Sequence, residues 1–196
     1  MTQPTEASKA NSLKMKNGQT VVCPDSIEGA RIVLKPITLN YTNVIYTEFT
    51  PEITVYMFPR SAERISETEK FIRNASRQRA AGTDLVFVIL DKQSGEFSGV
   101  CGLHNTGKAN QPEFGIWLRK GAQGKGLGLE SISALKKWSE RTLMVDSFIY
   151  PVDRRNQPSR KIAETLNGEI INEKKVKAMS GRMLDEVIYL IPAVLD

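Results

Sequence analysis

The sequence predicts a mixed α+β domain around a mostly antiparallel sheet, and three observations carry that prediction. Short apolar blocks recur at 85–90, 97–103 and 183–191, each of strand length and bounded by turn residues. Two of the joins are tight, Lys92-Gln-Ser-Gly-Glu96 and Ser180-Gly181, so the strands that they connect pair antiparallel. Elsewhere the spacing is helical, with Leu129, Ile132, Leu135 and Trp138 on one face.

Taken in order, residues 1–27 are polar and without a sustained period, which predicts a flexible lead-in ahead of a folded domain over 28–196. Arg31-Ile-Val-Leu-Lys-Pro36 reads as a first strand stopped by its proline, and a helix follows over 40–49. A second helix opens on the capping-box pattern Ser66-x-x-Glu69 and stops at Gly82. Strands at 85–90, 97–103 and 113–118 come next, then a glycine-rich turn and the amphipathic helix. A strand at 145–150, a short helix from Pro158 to Leu166, and a closing hairpin of 170–176 with 183–191 complete the chain.

The 196 residues suit one domain, and 40% hydrophobic with 25% charged residues is the balance of a globular protein rather than a disordered or membrane one. No apolar run has bilayer length and the opening residues lack a signal-peptide pattern, so a cytoplasmic location is expected. Cys23 and Cys101 make no disulfide framework, and one His with two Cys is too few for a tetrahedral zinc site without carboxylates, so no metal is expected. Net charge is +5, and its placement is uneven: residues 119–161 carry +6 and the remainder −1. Such a segment fits a bound polyanion, or equally a lysine-rich solvated helix face. A nucleic acid is a poor fit, because the aromatics within it, Trp138, Phe148 and Tyr150, are all placed as core. Edge strands in the closing hairpin leave monomer and homodimer both open.

The segment Arg119-Lys-Gly-Ala-Gln-Gly-Lys-Gly-Leu-Gly-Leu-Glu130 is the most informative. A strand, a loop with four glycines and a helix start follow one another, an arrangement that turns backbone N–H groups inward beside the positive end of a helix. It is built to take a phosphate. A Walker A loop needs Ser or Thr after its Lys, and Lys125 is followed by Gly126. A dinucleotide fingerprint would need a small residue at Leu129, or would end at Ser131 inside the helix. The spacing that remains is Gln123-x-x-Gly126-x-Gly128, against the plain alternative of a connector without a ligand.

At these residues the chain resembles the GNAT acetyltransferases, whose pyrophosphate loop carries a Gln/Arg-x-x-Gly-x-Gly/Ala signature. Glu113-Phe-Gly-Ile-Trp-Leu118 is similar to the family's preceding strand, and Asn156-Gln-Pro-Ser159 to its later Asn-x-x-Ser segment. Arg31-Ile-Val-Leu-Lys-Pro36, Glu52-Ile-Thr-Val-Tyr-Met57, Gly95-Glu-Phe-Ser-Gly-Val-Cys-Gly-Leu103 and Leu184-Asp-Glu-Val-Ile-Tyr-Leu190 resemble the branch that acetylates ribosomal-protein N-termini and its small-molecule-modifying relatives. The resemblance implies the GNAT acyl-CoA N-acyltransferase fold, a mostly antiparallel twisted sheet with one splayed parallel strand pair, flanked by helices. It also implies acetyl-CoA as co-substrate and an amine acceptor, either a protein N-terminus or a small molecule.

Carried onto this sequence, the resemblance implies that backbone groups of Ile116 and Leu118 meet the pantetheine arm, though both residues serve equally well as core. It implies that amides of Gln123, Gly124, Lys125, Gly126, Leu127, Gly128 and Leu129 take the pyrophosphate, that Asn156 holds the arm, and that Arg160 or Lys161 approaches the adenosine phosphate. Acetyl transfer to an amine must deprotonate an ammonium, stabilise an oxyanion and protonate a thiolate. A splayed-strand amide at Leu118 suits the second task. Glu113 is the first candidate base, since strand alternation puts it on one face with Gly115 and Trp117 and the glycine leaves room for an acceptor. Glu52 is the second, in the loop expected to wall the acceptor site. His104, the one histidine, stands at a strand end, where a structural role is the commoner one. Many family members protonate the thiolate with a Tyr seven residues after the Asn; here that residue is Ala163, and Ser159 matches the Ser used in the branch named above. The missing Tyr keeps open a second reading, a domain that senses acyl-CoA without turnover.

Overall fold

The computed structural model describes residues 12–105 and 110–194. Eight strands, β1 (Ile27–Glu28), β2 (Ile32–Pro36), β3 (Asp84–Asp91), β4 (Phe97–His104), β5 (Glu113–Leu118), β6 (Ser147–Asp153), β7 (Glu169–Lys177) and β8 (Met183–Pro192), make one sheet. Their order across it is β1-β2-β3-β4-β5-β6-β8-β7. Every neighbouring pair is antiparallel except β5 with β6, which run parallel. Four α-helices lie on the sheet: α1 (Thr42–Glu48), α2 (Ile65–Ala81), α3 (Leu127–Thr142) and α4 (Gln157–Thr165). Among the described residues no helix is long and apolar enough to cross a membrane.

The alternation of β3 and β4 builds two apolar layers. Leu85, Phe87 and Ile89 with Cys101 and Leu103 face one side, where Ile132 and Leu135 of α3 pack on them. Val86, Val88 and Val100 face the other, against Ile45 of α1 and Ile72 and Ala75 of α2. Residues 84–90 are therefore buried on both faces, which is why that stretch reads as a continuous apolar block rather than an alternation.

Three expectations are corrected. Residues 12–27 are tied to the domain at particular points: Leu13 is 0% exposed, its N–H bonds the Gly82 carbonyl at 2.8 Å, and Lys14 and Met15 bridge to Thr20 and Leu143. Three buried apolar residues, Leu13, Val21 and Ile27, anchor the segment, at spacings of eight and six that leave no period in the sequence. Residues 1–11 lie outside the described part. Gly82 stops α2 in the left-handed region at φ 70°, and a Cβ there would meet the Thr20 methyl at 2.4 Å, so the same glycine lets the hairpin dock. Second, the Ser66–Glu69 capping box does not form. The helix starts at Ile65 with Arg64 as its cap, which places Ser66 inside the first turn. Third, β6 runs through Pro151 to Asp153 instead of ending at Tyr150.

The end of β6 is fixed by a buried carboxylate. Asp153 accepts from the Arg155 backbone N–H at 2.9 Å, from its Nε and Nη2 at 2.8 and 2.7 Å, and from the Asp185 N–H at 3.1 Å. The Arg155 side chain, ahead of the backbone donors, holds this carboxyl below the ordinary carboxylate range. A group whose folded pKa is depressed stabilises the fold above its unfolded pKa, about 4, and loses that contribution as pH falls through the folded value. Asp153→Asn is expected to cost about 2 kcal/mol in denaturant unfolding at pH 7, with the difference from wild type closing below about pH 4. A difference that stays constant into acid would contradict this account.

Candidate active site

The site starts from a broken ladder. β5 and β6 share one register pair, Glu113 with Ile149, and the Ile149 N–H donates to the Pro112 carbonyl at 3.0 Å. The next parallel rung would need an N–H on Pro151, which has none. Beyond that point the strands part. On the far side of β5 the Arg119 N–H donates to the Ser98 carbonyl of β4 at 3.0 Å. Period two then turns the main-chain groups of Phe114, Ile116 and Leu118 toward the gap, and those of Glu113, Gly115 and Trp117 toward β4.

At its C-terminal end β5 runs into the glycine loop. Gln123 Nε2 donates to the Leu118 carbonyl at 3.1 Å, and the Gln123 N–H to the Lys120 carbonyl at 3.3 Å. Gly124 and Gly126 have φ of 74° and 77°, and Gly126 is the residue before α3. The amides of Leu127, Gly128 and Leu129 open the helix and lack intrahelical acceptors by construction. A Cβ on Gly128 would lie 3.1 Å from Ile162 Cδ1, 3.6 Å from Leu118 Cδ1 and 3.8 Å from Ile116 Cδ1, so the glycine keeps an apolar floor open between β5, α3 and α4. Arg31 braces the loop from outside, donating to the Lys125 carbonyl at 3.1 Å and pairing with Glu130 at 2.8 Å.

Across the gap, Asn156 Oδ1 caps α4 by accepting from the Ser159 N–H at 3.3 Å. Ser159 Oγ is 2.8 Å from the hydroxyl of Tyr150 on β6. Burial pushes the Tyr150 phenol up to about 12, so it stays protonated and able to donate. Arg160 is bound elsewhere, to the Tyr189 hydroxyl at 2.9 Å and to Glu164 at 3.3 Å. Ala163 is buried at 0% exposed.

The α1–α2 face of β5 is shaped by glycine. Gly102 and Gly115 are cross-strand partners, and next to them His104 pairs with Glu113. The imidazole lies over the two glycines: a Cβ would come within 2.8 Å of its Nε2 at Gly102 and 3.2 Å at Gly115. Its Nδ1 is 3.3 Å from Asp84 Oδ1, and that oxygen also accepts the Asn105 N–H at 3.1 Å. Glu52 lies at the other end of β5, ion-paired with Lys120 on an exposed surface.

The acetyltransferase (GNAT) domain family matches residues 31–169 of the chain. The chain belongs to the GNAT acetyltransferases. This GNAT protein is 25% identical over 165 residues to the N-acetyltransferase p20 of Bacillus licheniformis, covering 81% of the chain and 91% of the relative. Among solved structures it is similar to a RimL ribosomal-protein alpha-N-acetyltransferase in complex with coenzyme A, at TM-score 0.78 and 18% identity, over 87% of this chain and 99% of that one. It is also similar to the self-immunity acetyltransferase MccE in complex with acetyl-CoA and AMP, at TM-score 0.77 and 21% identity, over 89% and 99% of the two chains. At these identities the structural likeness is one of fold.

Within this GNAT domain, Gly128 of the glycine loop lies against Ile116 and Leu118 of β5 and Ile162 of α4, and Asn156 and Ser159 stand at the start of α4. Three expected residues are placed differently. The Gln123 amide donates to the Lys120 carbonyl at 3.3 Å. Arg160 is held by Tyr189 and Glu164, which leaves the exposed Lys161 on the same helix. Glu52 is ion-paired with Lys120, which follows the end of β5 opposite Glu113. Two features escaped the sequence. Tyr150 reads as core and is core, yet its hydroxyl emerges beside Ser159. Asp84 and His104 are cross-strand partners, a relation reached by counting outward from the Lys92–Glu96 turn only if the bulge after Ile89 is allowed for.

Proposed function

We propose that the chain transfers the acetyl group of acetyl-CoA to a primary amine, a protein N-terminus or a small molecule. The observation that carries this reading is the gap between β5 and β6, which faces Ile116 peptide groups inward and leads to the open amides at the start of α3. These residues fit the co-substrate: a strand edge for the amide-bearing arm, a glycine floor at Gly128, and helix-start amides for the pyrophosphate. Bound there, acetyl-CoA supplies a thioester carbonyl for the amine to attack. Lys125 and Lys161, both exposed, offer charge to the nucleotide phosphates. Ser159, with Tyr150 behind it, protonates the sulfur. Glu113 draws in the acceptor as an ammonium ion.

The resemblance to the ribosomal-protein branch supports peptides with Ser or Ala at the N-terminus as the first acceptors to test. Incubated with acetyl-CoA and a panel of such peptides, polyamines and aminoglycosides, the protein is expected to release thiol and add one acetyl group to at least one amine, read by mass spectrometry. Binding of acetyl-CoA with background thiol release across the panel would favour the sensing domain that Ala163 keeps open.

A further inference from the structure

The geometry points to His104 as the group that removes the proton from the acceptor amine, with Asp84 as its positioning residue and Glu113 beside it as the ammonium attractor. The proposal rests on the acetyl-transfer reading above. Asp84 is the first residue of β3 and His104 the last of β4, so the two are held by the hairpin register rather than by loops. Asp84 is buried, and its two oxygens also accept from the Asn105 N–H at 3.1 Å and the Thr83 hydroxyl at 3.4 Å, which fixes the carboxylate. With Nδ1–H given to Asp84, the neutral tautomer carries its lone pair on Nε2. Nε2 is the atom over Gly102 and Gly115.

That placement is built. Glycine inside a strand weakens it by roughly 0.5–1 kcal/mol relative to alanine. Here two strands each carry one at the same rung; a Cβ on Gly102 would clash with the ring at 2.8 Å and one on Gly115 would crowd it at 3.2 Å. A histidine serving only to tie hairpin ends needs its Nδ1 bond and no slot for the opposite nitrogen. Gly115 directly precedes Ile116, whose peptide groups face the gap, so Nε2 lies beside the part of β5 that borders the thioester path. The side chain is 34% exposed, which leaves a route for the proton to water. The titratable groups facing the ring are Asp84 from β3 and Glu113 from β5.

In the step, the ammonium first releases one proton to solvent through Nε2 and becomes a nucleophile. The nitrogen then forms the C–N bond to the acetyl carbon, the C–S bond breaks, and a second N–H proton passes to Nε2. The sulfur takes a proton from Ser159 Oγ, which solvent restores from the imidazolium. The sum is ammonium plus thioester giving amide, thiol and one proton.

His104 is the chain's one histidine, so its ring is observable without assignment. Acetyl-CoA is expected to shift its ring proton resonance and to slow carbethoxylation by diethyl pyrocarbonate at least fivefold, while adenosine bisphosphate, which fills only the nucleotide end, does neither. His104→Gln is expected to lower turnover of the amine found in the panel roughly a hundredfold with acetyl-CoA affinity unchanged, and imidazole is expected to restore part of the rate of His104→Gly. Full turnover in His104→Gln, or a ring blind to acetyl-CoA in the wild-type protein, overturns the proposal. Should no amine be acetylated, the transfer reading fails by itself, and protection of the ring still decides whether His104 faces the thioester. Should the variants not fold, the wild-type protection experiment decides.

Discussion

Gly126→Asp is expected to weaken acetyl-CoA binding at least tenfold, as measured by calorimetry. Two effects combine. Gly126 holds φ at 77°, a region that costs an L-residue on the order of 1–2 kcal/mol, so the substitution strains the residue that launches α3. It also adds a negative charge next to helix-start amides whose partial positive charge is the basis of anion binding. Gly126→Ala separates the two, because it carries the strain without the charge. The nearest atom to an added Cβ is Arg31 Nη2 at 3.5 Å, an ordinary contact, so steric exclusion contributes little. Alanine is expected to lose part of the affinity and aspartate clearly more. Wild-type affinity in Gly126→Asp would remove the loop from the cofactor site.

Ser159→Ala should lower turnover by roughly ten- to a thousandfold and leave acetyl-CoA affinity nearly unchanged. The hydroxyl is 2.8 Å from Tyr150, whose phenol remains protonated because burial raises its pKa to about 12. A Tyr150 proton directed at Ser159 frees the serine proton for the departing sulfur. Tyr150→Phe keeps the packing of the ring and removes that support, so it should lose a smaller part of the rate in the same assay. Affinity falling in step with rate in Ser159→Ala would make the serine a cofactor contact, and no change in either would leave the sulfur to water.

Much of this architecture was legible because local signals agreed with tertiary ones. β5 matches its expected bounds, and the buried face of α3 contains Ile132 and Leu135 as the helical period requires. The glycine loop and Asn156-x-x-Ser159 were found from spacing and resemblance. What escaped was decided across strands. The strand expected at 145–150 continues through Pro151 because the absent N–H of Pro151 points away from β8, where every rung through Asp153 is made. Arg160 looked available on its helix because nothing local announces Tyr189 of β8 as its partner. The Asp84–His104 pair depends on a bulge, and the pairing of Glu52 with Lys120 on the route of the 49–58 loop over the sheet.

Pro151 also determines what an incoming ligand must displace. Were residue 151 able to donate, β6 could bond the Phe114 carbonyl and the two strands could zip along their length, each rung worth about 1 kcal/mol net. A ligand entering between them would then have to melt protein structure before forming its own bonds. Without that donor this rung is missing, and beyond Glu113 and Ile149 the two strands share no further register pair. Under the proposed function, an arm bearing amides meets the main-chain groups of Ile116 without displacing a partner strand, and supplies rungs that β6 does not.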